Sequence, residues 1–406
     1  MKNNTPTKAI LSKLFDSALK SVDGCIAVEK KLSHKPIEGN VVVLSVGKAA
    51  ASMMQGAQNH LGDQILSALM ITKEGYSDSR ITCSCIESGH PIPNEKSLQA
   101  GVKLLEFIEN IPKDVTFLAL ISGGASALVE SLPQTIKLTD LQKINRWLLS
   151  SGLEIDAMNN IRQSISLIKA GKVLSYLPIN KMTQLLISDV KNDDISIIGS
   201  GLFVANENSE QKYDAPDWIS SHFLKRKPAA KVLVDSHIVA SNEIACQAII
   251  KHAKIAGYPV KYHGQSLYGD VFELAKLITK KLLNAKSGIH IWGGEPTIVL
   301  PEKVGRGGRN QSLALALACI LENEKGITIL VGATDGNDGS TDDAGAIIDG
   351  FTLQRGKNIG SAKDYLNVAD AGTYLAEAGD LLSTGPTGTN VMDMVIALKE
   401  PNLAAP

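Results

Sequence analysis

The sequence predicts an α/β protein of two domains, and three observations carry that expectation. Short apolar runs alternate with amphipathic runs from end to end. Most of the apolar runs are continuous, the pattern of strands covered on both faces, as in parallel sheets. Glycine-bearing loops follow the apolar runs, and ligands of such sheets bind at the carboxyl ends of the strands. The βαβ rhythm implies right-handed crossovers.

The first helix is signalled by Thr5-Pro6 and by apolar residues at Ile10, Leu11, Leu14, Phe15, Ala18, Leu19 and Val22. Strands are expected over 41–46, 66–72, 116–121, 184–188, 231–234, 259–262, 289–292, 327–331 and 394–398. Amphipathic helices are expected over 97–108, 242–256, 269–283 and 311–321. The polar stretch 206–228 reads as a domain boundary, giving domains 1–228 and 229–406. Its basic cluster Lys225–Lys227 reads as a solvated linker.

Composition narrows the function classes. The 406 residues are 44% hydrophobic and 20% charged, values of an ordinary globular protein. A net charge of −1 argues against a broad nucleic-acid footprint, which needs a basic excess. No apolar stretch is long enough to span a bilayer and no signal region opens the chain, so a soluble cytoplasmic protein is expected. Of the five cysteines, only Cys83 and Cys85 lie close together, in an alternating run. They read as buried small side chains on one strand face, because a zinc site would need a second pair.

Five glycine loops carry residues suited to phosphate or metal. Ser45-Val46-Gly47-Lys48 opens an apparent helix, placing Lys48 beside free backbone N–H groups. It is not a P-loop, since Val42 replaces the first Gly and Ala49 the Ser/Thr. A surface lysine after a tight turn is the alternative. Ser122-Gly123-Gly124-Ala125-Ser126 offers a phosphate cradle and lacks the serine-nucleophile elbow pattern. Asp189 ends a strand, where Mg²⁺ could be held, and Gly199-Ser200-Gly201 follows. For Asp193 and Asp194, helix capping is the alternative role. Gly293-Gly294-Glu295 adds a carboxylate. Thr334–Gly339 adds Asp335 and Asp338, for which turn formation suffices as an alternative. Thr384–Asn390 adds Thr387 and Asn390.

A sixth segment, Gly305–Gln311, sets Arg306 and Arg309 in a glycine turn, and Arg binds phosphoryl groups bidentately. It fails the dinucleotide fingerprint because Asn310 stands where glycine is required. His90, in Ser88-Gly89-His90-Pro91, is the one histidine in a candidate active loop, with a structural role as the alternative. Trp147, Trp218 and Trp292 read as packing residues.

Taken in order, these segments resemble the glycerate 2-kinase family, built from an N-terminal glycerate-kinase domain and a C-terminal MOFRL domain. The resemblance runs through Val46-Gly47-Lys48-Ala49, Gly89–Pro93, Leu120–Gly124, Ser126-Ala127-Leu128, Ile187–Val190 and Ile198–Gly201. It continues through Gly293–Glu295, Gly305–Gln311, Thr334–Gly336 and Thr384–Asn390, so nearly the whole chain is covered. It implies a Rossmann-like, mostly parallel N-terminal sheet flanked by helices and a smaller C-terminal α/β domain, with the MOFRL-type segment at about 287–398. The active site is then expected in the inter-domain cleft.

The implied activity is transfer of the ATP γ-phosphoryl group to the 2-hydroxyl of D-glycerate, with Mg²⁺; such proteins have often been labelled hydroxypyruvate reductases. By resemblance the functional lysine falls on Lys48 and the arginine on Arg309, with Arg306 second. Asp189 becomes Mg²⁺ ligand or base, and Glu295 a second metal candidate. ATP would meet Gly47, Ser122, Gly123, Gly124, Ser126, Gly199, Ser200, Gly201, Glu295, Asn310, Asp335, Thr387 and Asn390. Arg162 and His90 would meet the acceptor. A homodimer is entertained, without nucleic-acid or membrane partners. The sequence departs from the family pattern at Gln163-Ser164, Leu202-Phe203, Ser312 and Met392, and these departures bear on the acceptor.

Overall fold

The computed structural model describes residues 6–153, 155–204, 215–224 and 231–401. The chain divides into two compact units, Gly24–Ala240 and the pair Met1–Asp23 with Ser241–Pro406. Each unit is built on one six-stranded sheet.

In the first unit the strands are β1 (Val41–Val46), β2 (Ile65–Lys73), β3 (Ser84–Ser88), β4 (Thr116–Ile121), β5 (Lys181–Ile187) and β6 (Leu233–Ala240). They pair in the order β3-β2-β1-β4-β5-β6, every pairing parallel. The chain winds outward from β1 to one edge, then restarts at β4 and winds to the other. The order therefore reverses between β1 and β4, and the crevice beyond their carboxyl ends is where such sheets take ligands. All six residues of β1 are buried, as its unbroken Val-Val-Val-Leu-Ser-Val run requires of a strand covered on both faces. The core joins Leu44, Val46, Phe117, Ala119, Leu104 and Phe203. A satellite cluster of Ile144, Leu148, Ile161, Ile165 and Ile219 holds the helices Leu138–Ser150 and Ile155–Ile165 together.

In the second unit the strands are β7 (Val260–Asp270), β8 (Gly288–Thr297), β9 (Ile327–Ala333), β10 (Gly345–Asp349), β11 (Leu381–Leu382) and β12 (Asp393–Lys399), ordered β11-β10-β9-β12-β8-β7. Only β7 and β8 run parallel; the other pairings are antiparallel. The apolar continuity of β9 and β12 thus reports burial on both faces, not parallel pairing. Helix Arg309–Ile320 is buried on nearly every side, with Leu313, Leu315 and Leu317 in the core around Trp292 and Tyr374.

Several expectations are corrected. Helix Pro6–Ser21 forms as predicted, yet it belongs with the C-terminal unit, where Phe15 packs against Gly332 of β9. β6 belongs with the first unit because it pairs with β5, and that compact unit runs through Ala240. Residues 206–214 and 225–228 of the expected boundary lie outside the described residues. β6 extends beyond the predicted 231–234 through Asp235, Ser236 and His237, polar residues that an edge strand tolerates and an apolar count misses. β3, β10 and β11 escape a search for apolar runs for the same reason, being short or at edges. β3 begins at Ser84, so Cys83 precedes it, and Cys85 is exposed rather than buried.

Candidate active site

At the switch point of the first sheet, three loops are bonded into one another. The amide of Lys48 donates to the Gly123 carbonyl (2.9 Å), and the Ala49 amide to the Ser122 hydroxyl (3.1 Å). Thr72 at the end of β2 holds the Gly47 carbonyl (3.0 Å). Gly47 has φ +135°, a conformation that L side chains rarely adopt, and a Cβ there would meet Ser122. Ser122 is buried, so its hydroxyl fastens the Lys48 turn instead of facing open space.

Other predicted residues gather on the same turn. A Cβ at Gly124 would touch Lys48 Cγ (3.1 Å) and His90 Nε2 (3.2 Å). A Cβ at Gly123 would fall on the Asp189 carboxyl group. Ser200 donates to Ser126 (2.7 Å), and the turn Gly199-Ser200-Gly201 runs through three left-handed residues. Lys48, His90, Gly123, Gly124, Ser126 and Asp189 thus share one edge, reached from the ends of β1, β3, β4 and β5. Lys48 makes no ion pair among the described residues. Burial, with Lys48 and Lys73 adding repulsion, pushes His90 down to about 4, so its imidazole is neutral at pH 7. Asp194 accepts from the amide and hydroxyl of Ser196, closing a local turn rather than capping a helix as the alternative reading expected. Leu202 and Phe203 are buried core residues.

Arg162, on helix Ile155–Ile165, donates from Nε to Asn145 Oδ1 (3.1 Å) and from Nη1 to Asn159 Oδ1 (3.3 Å). It has no carboxylate partner among the described residues. The next residue, Gln163, is buried and donates to the Ser200 carbonyl (3.2 Å), tying this helix to the turn that meets Ser126.

The second unit gathers a different set. Arg309 Nε and Nη2 grip Asp393 at 2.6 and 3.3 Å, while Nη1 reaches Glu295 at 2.8 Å. Asp393 opens β12 opposite Gly294 of β8 and Ala333 of β9, which brings the arginine and both carboxylates to one sheet end. Burial opposes the charge on Arg309, but Asp393 and Glu295 outweigh it and raise its pKa. Burial lifts Asp393 to about 6 against the pull of Arg309. Asp338 is buried and accepts from the amides of Asn310 (3.0 Å) and Gln311 (2.7 Å), capping the helix that Arg309 begins. Thr387 donates to the Thr334 carbonyl (2.6 Å), Asn390 accepts from Met392, and Asp335 accepts from Asn337. These loops hold one another. Arg306 instead pairs with Asp343 (2.7 Å) and is half-exposed.

Sequence reasoning did not single out Asp393, the buried partner of Arg309. Its signal was its place in Asn390-Val391-Met392-Asp393, directly before an apolar strand. It also missed Asn145 and Asn159, which carry no motif. Among the described residues no three His, Cys, Asp or Glu side chains form a group that could hold a metal. No helix among them is long and apolar enough to cross a membrane.

A doubly wound parallel domain with a lysine, a glycine turn and a carboxylate at its switch point is a ligand-binding α/β architecture. Comparison with known proteins narrows this. Residues 10–233 match the family described as a domain of unknown function, DUF4147, and residues 288–393 the MOFRL family. A D-glycerate 2-kinase of Thermotoga maritima is 32% identical over 96% of this chain and 98% of its own length. A protein of Agrobacterium vitis, provisionally named a hydroxypyruvate reductase, is 33% identical over 97% of this chain and 94% of its own. The crystal structure of a glycerate kinase from Thermotoga maritima superposes with a TM-score of 0.88 at 30% identity, covering 97% of this chain and 99% of that one. The chain belongs to the glycerate 2-kinase family, in its DUF4147–MOFRL form.

Proposed function

We propose that the protein transfers the γ-phosphoryl group of ATP to the 2-hydroxyl of D-glycerate, giving 2-phosphoglycerate. The observation that carries this reading is the convergence of Lys48, His90, Ser126 and Asp189 on the Gly123-Gly124 turn at the switch point. Phosphoryl transfer asks a protein mainly to position reactants and to neutralise charge. Lys48 supplies a cation that makes no ion pair among the described residues. Gly123 and Gly124 let the side chains of Asp189, Lys48 and His90 close on the turn's backbone, which sets the three groups beside one another. His90, neutral at pH 7, can hydrogen-bond an acceptor without adding charge. Arg309 is the second cation assigned to the phosphoryl group, its orientation set by Asp393.

Mg²⁺ is commonly held by one or two carboxylates and the substrate's own phosphates rather than by an all-protein cage. Asp189, packed on the glycine turn, fits such a site. Glu295 fits it poorly, because Arg309 already takes its carboxylate. When bound there, Mg²⁺ would supply neutralisation of the phosphate charge. Asp189 is equally suited to accept the proton of the acceptor hydroxyl.

Incubation with ATP, Mg²⁺ and D-glycerate should give a phosphomonoester on carbon 2 by ³¹P NMR. The relative named as a reductase motivates one control, hydroxypyruvate with NADH. Loss of NADH absorbance there, with no product from ATP and D-glycerate, would overturn the kinase reading.

A further inference from the structure

The backbone turn that delivers Asp393 to Arg309 is strained and pinned. Met392, where the sequence departs from the family pattern, has φ +67°. A residue with a long side chain is uncommon there, and such strain persists only where the surroundings over-determine it. Two side chains, each 0% exposed, do so. Asn242, the first residue of helix Asn242–Ile255, donates from Nδ2 to the carbonyls of Val391 (2.8 Å) and Asp393 (3.1 Å), on either side of Met392. Thr334, directly after β9, donates its hydroxyl to the Met392 carbonyl (2.7 Å) and accepts from the Val391 amide (2.8 Å). The Thr334 amide donates to the same Met392 carbonyl (3.1 Å), and the Met392 amide to Asn390 Oδ1 (3.2 Å).

Asn242 is itself fixed. Both hydrogens of its amide are engaged by the turn. Its Oδ1 accepts from the Cys246 thiol (3.6 Å) and lies so close to Gly293 that a Cβ there would fall 1.8 Å away. Asn242 therefore touches two strands at once: β12, which opens on Asp393, and β8, which carries both Gly293 and Glu295. These strands supply the two carboxylates that hold Arg309. Every one of these contacts lies within the second unit. Asp393 is buried, so a shift of the turn would leave its carboxylate short of the arginine, which is a costly state. The aim of Arg309 thus depends on the backbone at 391–393 as well as on its own helix.

We infer that Asn242 and Thr334 are positioning residues, clamping the left-handed Met392 turn so that Asp393 holds the Arg309 guanidinium in the orientation that phosphoryl transfer uses. The inference rests on the kinase reading for the role of Arg309, but not for the clamp.

Two double-mutant cycles on the full chain test it. Thr334→Val is nearly isosteric and removes both hydroxyl bonds, while Asn242→Ala removes the two amide bonds. By urea titration, Asp393→Asn should cost less than about half as much in either background as in wild type, because an unclamped carboxylate has already lost its grip on Arg309. Costs that simply add would overturn the clamp. With ATP and D-glycerate, each variant should lower kcat by about tenfold or more and move the KM for D-glycerate by less than about threefold. Made on Arg309→Ala, the same substitutions should cost less than about threefold more. Thr334→Ser, which keeps the hydroxyl, should recover most of the loss. Residues that only stabilised the fold would lower kcat equally with and without Arg309, and that result, or kcat within roughly threefold of wild type in both variants, would overturn the assignment. Should Asn242→Ala fail to fold, Thr334→Val and its serine control carry both cycles. Absence of phosphoryl transfer to D-glycerate by wild type would sink the kinase reading, while the urea cycle would still decide the clamp.

Discussion

Gly123→Ala adds one methyl group at the point where the candidate site is tightest. Gly123 does not adopt a positive φ, so alanine brings no backbone strain and the effect is that of the methyl alone. The added carbon would sit 2.5 Å from the Asp189 carboxyl carbon and 3.0 Å from Oδ1, where ordinary contact begins at 3.4 Å. Asp189 must therefore retreat by about 1 Å, a misplacement that can cost on the order of 10²-fold in turnover. That factor corresponds to about 2.7 kcal/mol of transition-state stabilisation. ADP release at saturating ATP and D-glycerate would measure it, with a thermal melt beside it to verify the fold. If kcat stays within roughly threefold of wild type at unchanged stability, Asp189 is not where the chemistry needs it.

Three further outcomes follow from the same geometry. Lys48→Ala should lower kcat by about 10²–10³ with little change in melting temperature, because no ion pair is broken; steady-state kinetics checks it. Asp393→Asn should cost about 2–3 kcal/mol by urea titration, less than a fully buried pair, since Glu295 still holds Arg309 and that side chain is 34% exposed; an unchanged midpoint would refute the pairing. The third concerns pH. His263 Nε2 and His290 Nδ1 face each other at 3.2 Å, with His263 stacked on Trp292 at 4.1 Å. Burial lowers both, His263 to about 4, and His290, Lys281 and Lys261 add repulsion on His263. Between about pH 6.5 and 4 the unfolded chain binds more protons, so this contribution is intact above 6.5 and is lost as pH falls toward 4. The melting temperature of wild type should drop faster over that window than that of His263→Asn, and parallel curves would refute it.

The parts of the molecule legible in the sequence were those with a local cause. Continuous apolar runs announced β1, β4, β9 and β12 because burial on both faces leaves no room for alternation. Glycine marked the turn at 47, where a side chain would strike Ser122. Illegible were β3, β11 and the polar extension of β6 at sheet edges, where one open side admits polar or few residues. So was the antiparallel pairing of β8, β9 and β12, because strand direction depends on which strands meet, not on how apolar they are.

The sequence by itself determined the α/β class, the loops that could bind phosphate, and Lys48, Asp189 and Arg309 as the residues to watch. The class and the loops follow from chemistry within a few residues of chain, while the choice of Lys48, and of Arg309 over Arg306, came from the family resemblance. Only the tertiary structure decided what these residues touch. It set Asp189 against Gly123, 66 residues away, and gripped Arg309 with an aspartate 84 residues later. It also left Arg162 between two amides, with no carboxylate among the described residues. Long-range pairing of this kind is fixed by sheet order and helix packing, and no short stretch of sequence encodes it.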